Sequence, residues 1–160
     1  MRRRREMGGR DYSIVSLSPE HIRGMAEIER LCFSTPWTEE MLAGELTNPH
    51  AVYAVALNHV RVLGYAGMHA VVDEGYITNV AVHPDARRQG IGNALVQTLV
   101  GYGRDTGLAF LTLEARAGNR EAITLYTSCG FEEAGRRSGY YEEPKEDAVL
   151  MTLWLKERHA

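Results

Sequence analysis

The sequence predicts an α+β domain: a single mixed, mostly antiparallel sheet flanked by helices, with elements in the order β-α-α-β-β-β-α-β-α-β-β. Three observations predict it. Helix-type apolar spacing fills residues 22–32, and from residue 51 it gives way to strand-type runs broken by Asn58-His59 and by Asp73-Glu74-Gly75. Beyond residue 90, helix and strand patterns alternate in short segments. With 160 residues, 44% of them hydrophobic and 24% charged, the chain fits one core and is short for two.

Taken in order, residues 1–10 carry no periodicity and a basic run, Arg2 to Arg5, so a disordered basic tail is expected ahead of a domain over 11–160, with a docking arm toward RNA or the ribosome as the alternative. Tyr12, Ile14 and Leu17 mark a strand, and Ser18-Pro19 suits the start of a helix. That helix carries Ile22, Met25, Ala26 and Ile28. After the apolar loop Phe33-Ser34-Thr35-Pro36-Trp37, Thr38 caps a second helix whose first turn holds Glu39 and Glu40. Residues 52–57, 60–72 and 76–82 form an antiparallel meander. A polar, Gly-containing loop leads to an amphipathic helix bearing Ile91, Leu95, Leu99 and Tyr102 and ended by Gly103 or Gly107. Residues 108–114 form a short strand, and residues 120–128 a helix with Gly130 at its C-cap. Residues 131–140 and 148–155 close the chain as strands, with no internal repeat.

Composition removes several function classes. A formal net charge of -3 gives no global attraction to nucleic acid or to an anionic membrane, so neither partner is expected. No apolar stretch has the length of a signal peptide or a membrane span. The two cysteines, Cys32 and Cys129, have neither zinc nor redox spacing, and a reducing cytoplasm is the expected compartment. The scattered histidines offer no paired ligand spacing, so no metal is expected.

Two constellations carry chemistry. In Arg87-Arg88-Gln89-Gly90-Ile91-Gly92, glycines let backbone N–H groups approach an anion, while the helix start and the arginines add positive charge. A pyrophosphate would sit well there, although a plain surface turn has the same residues. A dinucleotide-binding fingerprint fits less well: Leu95 stands where its third glycine belongs, and residues 83–89 are too long for its tight turn. A Walker A loop lacks its Gly-Lys-Ser/Thr. The second constellation is Glu114 at a strand end, Tyr126 on the next helix and Asn119 near that helix's start. Amide formation from a thioester needs a group that takes a proton from the amine and one that gives a proton to the departing thiolate, which suits a carboxylate and a phenol. The structural alternatives are an ion pair of Glu114 with Arg116 and a half-buried core position for Tyr126.

The two constellations occur together and in register with the expected elements. On Phe33-Ser34-Thr35-Pro36-Trp37, on Asn79-Val80-Ala81-Val82-His83-Pro84 leading to Arg88-Gln89-Gly90-Ile91-Gly92, on Leu113-Glu114-Ala115-Arg116 with Asn119, on Ala122-Ile123-Thr124-Leu125-Tyr126-Thr127-Ser128-Cys129-Gly130-Phe131, and on Tyr140-Tyr141 with Glu146-Asp147-Ala148, the chain resembles the GNAT acetyltransferases. The resemblance runs from about residue 14 to residue 153 and is strongest to the branch that acetylates ribosomal-protein N-termini.

It implies acetyl-CoA as cosubstrate, with the backbone of Val80, Ala81 and Val82 along the acetyl and pantetheine portion. Arg88, Gln89, Gly90, Ile91, Gly92 and Asn93 would hold the pyrophosphate, and Asn119 would touch the cofactor again. It further implies Glu114 as general base, Tyr126 as general acid, and a groove for a protein or peptide N-terminus between Phe33 and Trp37 on one side and Tyr140 and Tyr141 on the other. Trp37 could equally be a hydrophobic staple ahead of Thr38. The chain departs from the family at Ala115, where valine is usual, and in its basic N-terminus.

Reference acidities favour an α-amine. With a pKa of about 7.7 to 8.0 it is partly neutral at pH 7, whereas a lysine at about 10.4 is almost wholly charged. A small amine or a lysine side chain is the alternative acceptor, with Glu142-Glu143 near the groove as its support. A binding module that holds acetyl-CoA without turnover is the alternative of another class.

Overall fold

The computed structural model describes residues 3–7 and 10–156, with side chains from Tyr12 onward. Among the described residues, eight strands form one sheet in the order β1-β2-β3-β4-β5-β6-β8-β7. They are β1 (Arg3–Met7), β2 (Arg10–Val15), β3 (Ala51–Asn58), β4 (Arg61–Val71), β5 (Glu74–Val82), β6 (Phe110–Arg116), β7 (Glu132–Tyr141) and β8 (Glu146–Trp154). Four helices accompany them: α1 (Ile22–Cys32), α2 (Glu39–Gly44), α3 (Ile91–Thr106) and α4 (Arg120–Ser128). From β2 onward this is the order expected from the sequence. The N-terminal run is the correction. Arg3–Met7 pairs antiparallel with β2 as an edge strand, so that stretch of the expected tail is extended backbone on the sheet. Residues 1, 2, 8 and 9 of the expected tail lie outside the described residues.

Each face of the sheet has its own core. Ile22, Met25, Ala26 and Ile28 of α1 and Leu42 of α2 pack with Tyr53, Val55, Tyr65 and Ala81 on one face. Ile91, Leu95 and Leu99 of α3 pack with Met68, Ile77, Leu111, Leu113 and Met151 on the other. Alternation along β5 explains the split: Ala81 points to α1, while Val80 and Val82 pack on the α3 side.

The feature that positions the site is a divergence within the sheet. β5 and β6 are parallel and pair only over Glu74↔Phe110, Gly75↔Leu111 and Tyr76↔Thr112. Just beyond, Thr78 is an extra residue opposite β4, whose register shifts between Gly67 and Met68, and its hydroxyl donates to the Gly67 carbonyl at 3.3 Å. Such a bulge bends its strand. Residues 77–82 therefore leave β6, which continues in register with β8. A side chain at position 67 would meet the Tyr53 ring at 2.4 Å, so the glycine permits the close β3–β4 approach behind the bulge. Among the described residues, no helix is long and apolar enough to cross a membrane.

Candidate active site

Between the diverging strands lies a cavity of about 820 Å³. Its walls are Ile77, Thr78, Asn79 and Val80 of β5, Leu113, Glu114, Ala115 and Arg116 of β6, and Asn119, Ala122 and Tyr126 at the start and middle of α4. Its mouth is framed by the α1–α2 loop, with Phe33, Ser34, Thr35 and Trp37, and by Tyr140, Tyr141 and Glu142 at the turn between β7 and β8. Both proposed catalytic residues and all four proposed substrate-groove residues thus meet in one space.

Glu114 is not tied up by Arg116. That guanidinium instead donates to the carbonyls of Pro144 at 2.8 Å and Glu142 at 3.0 Å, and pairs with Glu146 at 3.4 Å. Glu114 lines the cavity, and its Oε2 is buried with no hydrogen-bond partner among the described residues. The carboxylate makes itself felt on three tyrosines. Interaction with Glu114 is the leading cause that raises Tyr140, whereas Tyr76 and Tyr141 are raised first by burial and then by Glu114, Tyr141 to about 12. Tyr76 has no counterpart among the residues expected from sequence.

Tyr126 is 7% exposed and packs at a tilt against Phe131 with centroids 5.8 Å apart, yet it also lines the cavity. The core position and the site position are therefore the same position. Burial, then the Cys129 thiol and Tyr141, push its phenol well above the ordinary value, so it keeps its proton at neutral pH. Asn119 caps α4, its Oδ1 accepting from Ala122 N–H at 3.1 Å.

The loop expected to hold an anion does not line the cavity. Arg88 has φ 64° and Gly90 φ 77°, both in the left-handed region. Gly90 serves as the N-cap of α3, whose first-turn N–H groups have no intrahelical acceptor. Alternating left- and right-handed residues turn successive N–H groups toward one concavity, which suits a diphosphate. Ile91 is 1% exposed and Ala81 5%, so their side chains serve the two cores and only their backbones can face a ligand. A Cβ on Gly92 would lie 3.3 Å from Leu125 of α4, and Asn93 Nδ2 lies 3.4 Å from Cys129 Sγ. The helix start is thus packed against the helix that carries Tyr126. Gln89 and Val82 complete the loop and the strand leading into it; the Val82 carbonyl accepts from Arg87 Nε at 3.3 Å.

Across the mouth, Ser34 Oγ donates to the Glu143 carbonyl at 3.2 Å, so the two framing loops touch. Arg116 lies 4.5 Å over the Tyr141 ring and braces the β7–β8 turn from below. Trp37 packs partly against the α1 core while lining the mouth, and Thr38 caps α2 by accepting from Met41 N–H at 3.2 Å. Among the described residues, no group of three histidine, cysteine or acidic side chains could hold a metal.

Comparison with known proteins bears on this geometry. Residues 22–131 match the model of the acetyltransferase (GNAT) family. The chain is 36% identical over 143 residues to the Escherichia coli ribosomal protein bS18-alanine N-acetyltransferase, covering 88% of this chain and 96% of that protein. A Bacillus subtilis protein ascribed the same activity is 35% identical over 146 residues, with 91% and 97% covered. The crystal structure of the Escherichia coli ribosomal-protein-S18-alanine N-acetyltransferase superposes with a TM-score of 0.84 at 33% identity, covering 92% of this chain and 96% of that one.

Proposed function

Because the chain belongs to the GNAT acetyltransferase family, we propose that it acetylates the α-amino group at a protein N-terminus from acetyl-CoA, and that its substrate is a ribosomal protein beginning with alanine. The observation that carries this reading is the shared cavity. A carboxylate with a free buried oxygen and a protonated phenol line a cleft between split strands, and its mouth is framed by two loops that touch. The similar proteins of known name act on ribosomal protein bS18, which supports the finer substrate assignment.

Acetyl-CoA supplies a thioester carbonyl open to attack by an amine and a thiolate as leaving group. The residues present fit it. Beyond the last β5–β6 pair, residues 78–82 have no β6 partner, and on the edge turned away from β4 their backbone, apart from the Val82 carbonyl that accepts from Arg87, can bond a strand-like pantetheine arm. The loop over residues 88–93 offers N–H groups at a helix start to the diphosphate.

Glu114 takes the proton from the α-amine, directly or through one water. Tyr126 acts as a hydrogen-bond donor. Its phenol is raised while a thiol sits near about 8.5, so full transfer to the thiolate is uphill, and its O–H stabilises the sulfur as charge builds there.

The test is mass spectrometry of peptide panels incubated with enzyme and acetyl-CoA. Alanine-initiated peptides are expected to be acetylated at the α-amine. Acetylation of lysine side chains or polyamines, with free N-termini untouched, would overturn the proposal.

A further inference from the structure

One carboxylate in the cavity has no part in the scheme above. Glu29, near the end of α1, is 1% exposed and still lines the space shared by Glu114 and Tyr126. It lies on the sheet-facing stripe of its helix, one turn beyond Met25 and Ala26. Its oxygens gather three donors: the backbone N–H of Trp37 at 2.8 Å, the Asn79 amide at 3.5 Å and the Tyr65 hydroxyl. All three are neutral. Among the described residues, no lysine, arginine or histidine forms an ion pair with it. Desolvation by burial accordingly raises its pKa, with partial relief from Trp37 and Asn79.

A carboxylate buried without a counter-ion is costly, and a core needing only packing there would be served by an apolar residue. The convergence of three donors suits the ionised, acceptor-only form, whose oxygens offer about four lone-pair sites and so keep one open. We propose that Glu29 receives the α-ammonium of the incoming N-terminus, the substrate bringing the counter-ion that the described residues do not supply. Glu29 thus docks the cation and Glu114 discharges it. Because Glu29 also fixes the backbone of Trp37, the ammonium must reach it past the loop that frames the mouth. The inference rests on an N-terminal amine as substrate.

The experiment loads the enzyme with CoA, which cannot react, and titrates two peptides by calorimetry: one beginning with alanine, and its twin with propionyl in place of alanyl, lacking only the amine. Wild type should bind the alanyl peptide about tenfold tighter, as a charge-assisted contact predicts. Glu29→Gln should bind both alike, with the propionyl affinity unchanged, while Glu114→Gln keeps the preference. A preference that survives Glu29→Gln, or an equal loss for both peptides, overturns the assignment, the second outcome meaning that Glu29 only positions the loop. Should Glu29→Gln fail to bind CoA, Tyr65→Phe decides. It removes one neutral donor from an intact carboxylate, so the preference should hold or grow, and its loss counts against the assignment. A wild-type enzyme that binds neither peptide removes the substrate reading itself; equal binding of both peptides by wild type removes this inference alone.

Discussion

The side of the cleft proposed for the acyl donor is made of backbone, whereas the side proposed for the amine is made of side chains brought together from distant parts of the chain. On the donor side, a bulge at Thr78, a strand edge without a partner and a left-handed helix cap at Gly90 do the shaping, all within a short span of sequence. On the amine side, Ser34 meets Glu143 across 109 residues of sequence, Asn79 meets Glu29 across 50, and Arg116 braces a turn 26 to 28 residues away. Backbone recognition suits a cosubstrate that never changes. A surface of side chains can be retuned for a new acceptor without disturbing the donor seat, and substitutions should separate the two accordingly.

The largest effects belong to the residues where the halves meet. Tyr126→Phe and Glu114→Gln should each lower kcat by about a hundredfold, the low end for a lost transition-state hydrogen-bond donor and for a proton-transfer group, with the KM for acetyl-CoA nearly unchanged. Steady-state assay of CoA release checks this, and unaltered kcat in both variants would return them to structural roles. Next come variants confined to one half. Gly92→Val adds atoms where Leu125 already stands 3.3 Å from a Cβ, and should raise the KM for acetyl-CoA about tenfold while sparing that for peptide. Arg116→Ala frees the β7–β8 turn and should raise the peptide KM about fivefold while sparing that for acetyl-CoA. Crossed effects of similar size would break the division.

The pH profile probes the junction differently. Because the attacking amine has passed its proton by way of Glu114 to solvent before the transition state, whichever form docks, kcat/KM should climb about six- to tenfold from pH 7 to pH 9. It should show no alkaline fall up to about pH 10, because the Tyr126 phenol is held above its ordinary value and stays protonated there. A fall beginning below pH 9 would argue against that tyrosine as donor. The smallest effect is expected of Ser34→Ala. It loses one exposed hydrogen bond between the framing loops and should raise the peptide KM about twofold.

The same contrast explains what was legible in the sequence. The donor half and the element order are written in local signals: alternation in the meander, Gly90 and Gly107 at the ends of α3, and Asn119 capping α4. Glu114 and Tyr126 lie on neighbouring elements, so their spacing allowed a shared cleft, which both line, while their roles were implied only by the family resemblance. The amine half was legible only as apolar side chains in a loop and a tyrosine pair. That Arg116 serves the turn and not Glu114 depends on the β6–β8 register, which no local pattern encodes.

Glu29 did leave a trace, a charged residue on the stripe of Ile22, Met25 and Ala26, the one acidic side chain among those that α1 buries. Tyr76 left none, since only the parallel pairing of β5 with β6 brings it to Glu114. The edge strand Arg3–Met7 was hidden by its arginines, which carry no strand periodicity, while its pairing with β2 needs only backbone.

The most direct test of the central claim is a crystal structure with a bisubstrate analogue, CoA joined through its sulfur to the α-nitrogen of an alanine-initiated peptide. The sulfur should lie within hydrogen-bond reach of the Tyr126 hydroxyl and the nitrogen on the Glu114 side of the same cavity, with the peptide leaving between residues 33–37 and 140–142. An analogue whose peptide arm leaves by another route, with neither Glu114 nor Tyr126 near the joined atoms, would contradict the account.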